Sequence, residues 1–211
     1  MRRTAVVLLA IGLVLVACGS GKSRTFHRYY DPLALFSIDL PVDNSEQVTP
    51  AQTGASDQPS ILSGVVSAPP QPTQEDNQIF GGQLLNQQAP ADQTIYEMFV
   101  VSTDTFSNLQ DMVLYFLTAD PAVDVREDRS LSMAGMSGQL IVADVLEGEQ
   151  ATNSLAAAFT LGQDGRGYLI AALCPAEEWR SEQSDFLKVV KSFRFEVHPG
   201  IQSIPLAGQT A

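Results

Sequence analysis

The chain has 211 residues, with 12 Lys and Arg against 24 Asp and Glu, which gives a net charge of −12. An acidic chain without a cluster of basic residues is a poor candidate for nucleic-acid binding, because binding to phosphates requires grouped Lys and Arg side chains. The length suffices for one domain of ordinary size with its own apolar core.

The N-terminus predicts a secretory signal peptide over residues 1–17. Arg2 and Arg3 form a positive start, residues 5–16 are apolar apart from one glycine, and small Ala17 closes the segment. This three-part pattern is typical of an exported protein. The apolar run is shorter than the roughly 20 residues that a membrane-spanning helix needs.

The tetrapeptide that ends in Cys18, Leu-Val-Ala-Cys, resembles the bacterial lipobox. The resemblance implies that the Cys18 thiol is diacylated and that the mature chain begins at this residue. Two acyl chains anchor a protein firmly, whereas one chain gives only marginal binding. The alternative is an uncleaved anchor helix with an incidental cysteine. We therefore expect an extracytoplasmic protein on the outer face of the cell membrane, or at the outer membrane of a two-membrane cell, with residues 18–25 as a flexible tether.

Loss of the signal peptide would change the net charge to −14, because Arg2 and Arg3 leave with it. Anionic lipid head groups repel such a chain, so we expect the lipid rather than electrostatic attraction to hold it at the membrane. Cys174 is the only other cysteine. With Cys18 acylated, it has no partner for an intrachain disulfide, although the compartment is oxidising.

The first half of the chain predicts strands around an insertion. Phe36–Pro41 alternates apolar and polar residues, which is typical of a half-buried strand. Residues 46–78 are rich in Pro, Gln, Ser and Thr and predict a mostly disordered insertion of mobile loops, in which residues 61–66 form a short strand or a strand at a sheet edge. Residues 79–85 and 95–101 are further strand candidates.

A helix is predicted next. Ser107 and Gln110 have the spacing of a capping box. Asp120 followed by Pro121 should end the helix, because proline disfavours helical geometry in the preceding residue. One apolar stripe has helical spacing and consists of Leu109, Met112, Val113, Phe116 and Leu117.

The second half predicts an antiparallel sheet and a closing helix. Residues 139–146 form a strand candidate, and residues 154–161 and 167–173 predict a hairpin with a five-residue turn. Pro175 should begin a second helix, with Glu177 and Glu178 near its positive end. The buried residues expected on this helix are Phe186, Leu187 and Val190.

Residues 192–197 predict the last strand. The predicted fold is therefore α+β, an antiparallel β-sheet flanked by helices in an α-β-α sandwich. We expect one domain over residues 26–198, followed by an unordered tail over residues 199–211.

This pattern resembles the PsbP-like fold, a group that includes the extrinsic oxygen-evolving-complex protein of photosystem II, its cyanobacterial lipoprotein relatives and DcrB-like bacterial lipoproteins. Tyr30-Asp31 followed by residues 36–41 is similar to the opening of the family. The segment from Gly167 through Pro175 and Trp179 to Phe193 is similar to its closing helix and strand. The resemblance implies the fold, and metal binding is known for some members of the group.

The candidates for chemistry each have a structural alternative. Cys174 precedes a predicted helix, whose dipole can lower a thiol pKa and favour a nucleophile, but a buried cysteine that acts as a small apolar group is the favoured interpretation. Residues 135–138, Gly-Met-Ser-Gly, lack the spacing of a nucleophile elbow and favour a glycine-rich turn or bulge. Trp179, Phe186 and Phe193 are expected core residues.

His27 and His198 are the only histidines and are the candidate metal ligands, together with acids such as Asp31 or Glu196. The favoured interpretation is two surface histidines and no metal or other cofactor. A second acidic set could form a weak cation-binding face or a solvated polar face and consists of Asp104, Asp111, Asp120 and Asp124.

The sequence therefore predicts a non-enzymatic, lipid-anchored accessory or binding protein that acts through contacts with an unidentified protein partner at the membrane surface. The alternative is a lipoprotein that binds a small ligand or a metal and delivers it to a transporter. No nucleophile and base can be paired from the residues, so an enzyme is the third hypothesis.

Overall fold

The computed structural model describes residues 24–49, 51, 59–68, 94–117 and 123–196. The predicted signal peptide, Cys18, the strand candidate at residues 79–85, the predicted helix end at Asp120-Pro121, His198 and the predicted tail lie outside the described residues.

The described elements form mostly antiparallel β-structure with two helices. In chain order they are β1 (Phe26–Tyr30), β2 (Phe36–Pro41), β3 (Ser45–Thr49), β4 (Ile61–Ala68), β5 (Ile95–Ser102), α1 (Leu109–Leu117), β6 (Val123–Met133), β7 (Met136–Glu147), β8 (Gln150–Leu161), β9 (Arg166–Pro175), α2 (Trp179–Ser192) and β10 (Arg194–Phe195). The prediction of an α+β fold built on antiparallel strands is confirmed.

The strands form two sheets. Seven strands pair in the order β3-β4-β5-β9-β8-β7-β6, and three pair in the order β1-β2-β10. Residues 61–66 are predicted as a short strand or a strand at a sheet edge; they do form a strand, but β4 pairs with both β3 and β5 and is therefore internal. The edge strand next to β4 is β3, which occupies residues 45–49, where the composition predicted the start of a loop.

The hairpin of β6 and β7 explains the glycine-rich segment. Met133 pairs with Met136, and the two residues between them, Ala134 and Gly135, have φ values of 49° and 85°. Two successive positive φ angles match the twist of adjacent strands in a tight hairpin. Of residues 135–138, which are predicted as a turn or bulge that leads into a strand, only Gly135 lies in the turn, because β7 already begins at Met136. Strand β6 itself was missed, because its charged side chains are mostly exposed and hide the apolar alternation.

The first helix is capped one residue later than predicted. Asn108 Oδ1 accepts a hydrogen bond from the Asp111 amide at 3.0 Å, and Asp111 Oδ2 accepts one from the Ser107 amide at 3.1 Å. The capping box of Ser107 and Gln110 was therefore wrong. Asn108 satisfies one of the helix's unpaired N–H groups equally well, and Ser107 supplies a donor instead of an acceptor.

The second helix begins later than predicted. Pro175 is the last residue of β9, where it pairs with Asn153, and the helix starts at Trp179 after a turn. Proline fits a strand end as well as a helix start, because it lacks only the N–H group. Phe186 and Val190 are buried as predicted, and Leu187 is half-buried.

Two apolar clusters fill the interior, and β9 contributes alternate residues to each. Tyr168, Ile170, Ala172 and Cys174 belong to one cluster, which we call the α2 cluster because it contains the buried residues of α2 and of the three-stranded sheet. Leu169, Ala171 and Leu173 belong to the other, the α1 cluster, which contains Met112 and Val113 of α1. Successive residues of a strand point to opposite faces, so β9 separates the two clusters.

Candidate functional site

The turn between β1 and β2 exposes two large apolar side chains. We call residues 30–35 the β1–β2 tip. Tyr30 is 65% exposed and Leu33 is 56% exposed, the highest values among the large apolar residues that the structure describes as exposed. Removing apolar surface of this kind from water favours contact with a partner. The tip is therefore the first candidate for a contact surface.

A buried carboxylate fixes the tip. Asp31 is only 4% exposed, its Oδ2 accepts a hydrogen bond from the Leu35 amide at 3.0 Å, and its Oδ1 accepts one from the Ser63 hydroxyl on β4. Backbone hydrogen bonds from Asp31 to Phe36 and from Ala34 to Asp31 close the turn. Because Asp31 links the tip to the large sheet, Tyr30 and Leu33 are presented on an ordered turn.

A second polar cluster holds the beginning of the described chain. Arg24 Nη1 forms an ion pair with Glu182 Oε2 of α2 and lies 3.3 Å from the Tyr96 hydroxyl of β5. The Tyr96 hydroxyl is also 3.4 Å from Glu182 Oε2. Burial, and next the charge of Glu182, raise the pKa of Tyr96. The chain therefore enters the domain beside α2.

The structure does not assemble the candidate metal ligands. His27 pairs with Leu40 on β2, whereas Glu196 is bonded to Leu35 just beyond the far end of that strand. Those positions on the chain are separated by about 13 Å or more, at roughly 3.3 Å per residue. His27 Nε2 instead lies against Glu46 Oε1 of β3. Among the described residues, no group of three or more His, Cys, Asp or Glu has the arrangement of a metal site.

The other candidates have structural roles where they are described. Cys174 is fully buried in the α2 cluster, and burial raises the pKa of its thiol to about 12, so the structural interpretation of Cys174 is supported against the nucleophile. Asp111 caps α1, and Asp104 and Asp124 are exposed. Trp179, Phe186 and Phe193 are buried together as predicted core residues.

A buried carboxyl group, that of Glu97, was not predicted from the sequence. Glu97 on β5 is 2% exposed and stands between Ile95 and Phe99, opposite Val66 and Ala171, all members of the α1 cluster. Its Oε2 atom has no hydrogen-bond partner in the described part of the chain. Burial raises the pKa of this carboxyl to about 8. A polar residue at an inward position of a strand was the available signal.

No protein-family model and no curated protein sequence matches the chain. Among solved structures, cyanobacterial PsbP (CyanoP) from Synechocystis sp. PCC 6803 is similar, with a TM-score of 0.53 and 15% identity over 86% of this chain and 98% of that chain. The Ran-binding protein Mog1p of Saccharomyces cerevisiae has a TM-score of 0.48 and 11% identity over 82% and 96% of the chains. LpqN of Mycobacterium tuberculosis, involved in cell envelope biogenesis, has a TM-score of 0.40 and 15% identity over 74% of this chain and 94% of that chain.

The described residues form an α+β structure of antiparallel sheets with two helices. Its fold is PsbP-like, as the likeness to cyanobacterial PsbP shows, and this confirms the resemblance drawn from residues 30–41 and 167–193. At 15% identity the likeness concerns the fold alone. Within the described ranges, no helix combines the length and the apolar character that crossing a membrane requires.

Proposed function

We propose that this chain is a lipid-anchored, extracytoplasmic accessory protein without enzymatic activity, and that it contacts a protein partner at the membrane surface through the β1–β2 tip. The single observation that carries the proposal is an ordered turn, fixed by buried Asp31, that exposes Tyr30 and Leu33. The finer architecture that we propose is an α-β-α sandwich, which the separation of the two apolar clusters by β9 supports.

The lipid anchor is supported by the lipobox-like residues that end in Cys18. The proposal includes removal of the signal peptide over residues 1–17. A diacylated cysteine is sufficient for stable attachment. The tip supports a protein partner, because rigid aromatic and aliphatic side chains at the centre of an interface contribute most of its binding free energy. The resemblance to the PsbP-like group does not identify the partner.

The test is crosslinking in native membranes followed by recovery of the tagged chain. The double variant Tyr30→Ala/Leu33→Ala should reduce a specific crosslinked protein at least about tenfold, as expected for loss of two central interface residues. Val42→Ala/Val125→Ala is the matched control, because both valines are also exposed. Cys18→Ala should release the chain from membranes. Equal recovery of the partner with the tip variant and the control would contradict a contact through the tip.

The alternative of a ligand-delivering lipoprotein is favoured by one observation, the unpartnered carboxyl oxygen of Glu97 among apolar side chains. Ligand sites commonly combine apolar walls with few polar groups. A small molecule that raises the melting temperature of the native chain but not of Glu97→Gln would favour this alternative. A metal-delivering lipoprotein has no support from the described residues, because His27 pairs with Glu46 and lies apart from Glu196.

A further inference from the structure

The unpaired cations of the described domain are concentrated on one element. Six of the nine Lys and Arg side chains in the described ranges form an ion pair with an acid: Arg24, Arg28, Arg126, Arg129, Arg166 and Lys188. The other three are Arg180 and Lys191 on α2 and Arg194 directly after it, and within the described residues none of them has an acidic ion-pair partner. The described part of this acidic chain thus keeps its uncompensated positive charge on α2 and directly after it.

The outward face of α2 carries basic and neutral side chains but no exposed acid. Its exposed residues are Arg180, Ser181, Ser184, Lys188 and Lys191, which fall on one side of a helix with 3.6 residues per turn. The two acids of the helix, Glu182 and Asp185, are buried and paired with Arg24 and Lys188. The exposed acid nearest in sequence is Glu177, in the turn before the helix. The outer face of α2 therefore differs in sign from the net charge of the chain.

The described chain begins at Arg24, against the buried side of α2. Arg24 is bound to Glu182 of α2, and only five residues separate Arg24 from Cys18. A fully extended segment of that length spans at most about 22 Å. A lipid on Cys18 would therefore start within about 22 Å of Arg24, which is bound to α2.

We infer that the outer face of α2 lies against the anionic lipid head groups of the membrane, which orients the domain. This inference rests on the lipid anchor of the proposed function. Lys and Arg side chains near an anionic membrane surface are attracted to it. The remaining surface is acidic and is repelled, so attraction of α2 and repulsion of the rest favour the same orientation. The net charge alone predicted only repulsion, because it ignores where the cations lie.

The experiment uses the full mature, acylated chain in vesicles of phosphatidylcholine with or without phosphatidylglycerol. A fluorophore is placed on Ser184→Cys in the middle of the α2 face, or on Ser130→Cys of β6, and a nitroxide-labelled head group is the quencher. Both serines are exposed, whereas native Cys174 is fully buried and protected from labelling. In anionic vesicles, quenching at position 184 should exceed quenching at position 130 at least about threefold.

Charge variants show whether the orientation depends on the cations of α2 or only on the net charge of the chain. Arg180→Gln/Lys191→Gln should abolish most of the difference, whereas Arg129→Gln/Arg166→Gln, with the same change in net charge, should preserve it. Equal quenching at the two positions, or equal effects of the two double variants, would overturn the inference. Protection of position 184 in native membranes but not in vesicles would also overturn it, because a protein would then cover α2.

Failure of the anchor is distinguishable from failure of the orientation. If the chain fails to float with vesicles even when Cys18 is intact, the lipid anchor itself is wrong. If the acylated chain floats and Cys18→Ala does not, the anchor is supported and the quenching data judge the orientation alone.

Discussion

The two apolar clusters differ in whether the buried carboxylates beside them have a bonding partner. Four Asp or Glu residues are buried in the described ranges. Asp31, Glu182 and Asp185 are associated with the α2 cluster side, and each has a partner: the Ser63 hydroxyl for Asp31, Arg24 for Glu182 and Lys188 for Asp185. Glu97 stands in the α1 cluster, where its Oε2 atom has no partner among the described residues.

The difference shows what a partner does for a buried charge. A carboxylate taken from water loses its hydration, which favours the neutral acid unless a cation or a hydrogen-bond donor compensates. Burial without such a partner raises the pKa of Glu97 to about 8. The paired acids of the α2 side instead connect the entry of the chain and the β1–β2 tip to the rest of the domain.

The largest expected effect concerns the pH dependence of stability. Because the pKa of Glu97 rises from 4.5 to about 8 on folding, the folded state binds more protons between these pH values. The free energy of unfolding should therefore fall as pH rises through this window, by an amount on the order of 5 kcal/mol. Glu97→Gln should remove this fall and stabilise the protein at pH 9, measured by urea denaturation.

The control for this prediction is Glu147→Gln, an exposed acid at the end of β7. It should keep the pH dependence of the parent. A Glu97→Gln variant that loses stability with pH as steeply as the parent would show that Glu97 is ionised at little cost.

A Glu→Gln substitution on the α2 side should lower the free energy of unfolding, whereas Glu97→Gln should raise it at high pH. Glu182→Gln removes the charge that faces Arg24 and leaves the guanidinium partly buried without its anion. We expect a loss of about 1 to 2 kcal/mol at neutral pH, moderated by water because the Arg24 side chain is 21% exposed. The urea midpoint should fall, whereas Glu177→Gln in the preceding turn should leave it unchanged. Equal midpoints for both variants would remove the contrast between the clusters.

The fold could be predicted from sequence wherever burial imposes a period. Strand β2, the hairpin of β8 and β9 and the apolar stripe of α1 each have the alternation or spacing of their element. Strand β6 could not be recognised, because an exposed edge strand carries charges at successive positions. The start of α2 was placed too early, since Pro175 fits both the end of a strand and the start of a helix.

The candidate site was less predictable, because its features depend on contacts between distant segments. Asp31 was noted as a possible metal ligand, but its bond to Ser63 joins residues far apart in the chain. Glu97 interrupts an otherwise apolar strand, but only the pairing of β5 with β4 and β9 shows that it faces the α1 cluster. The basic face of α2 was hidden by the acidic total, which averages over all surfaces.

The most direct test of the proposed lipoprotein is the mass of its N-terminal peptide after extraction from membranes of the native host. A diacylated N-terminal cysteine is a covalent modification with a defined mass. We expect the extracted chain to begin at Cys18 and this residue to carry the diacylglyceryl group. A membrane-extracted chain that still begins at Met1, or that carries an unmodified Cys18, would contradict it.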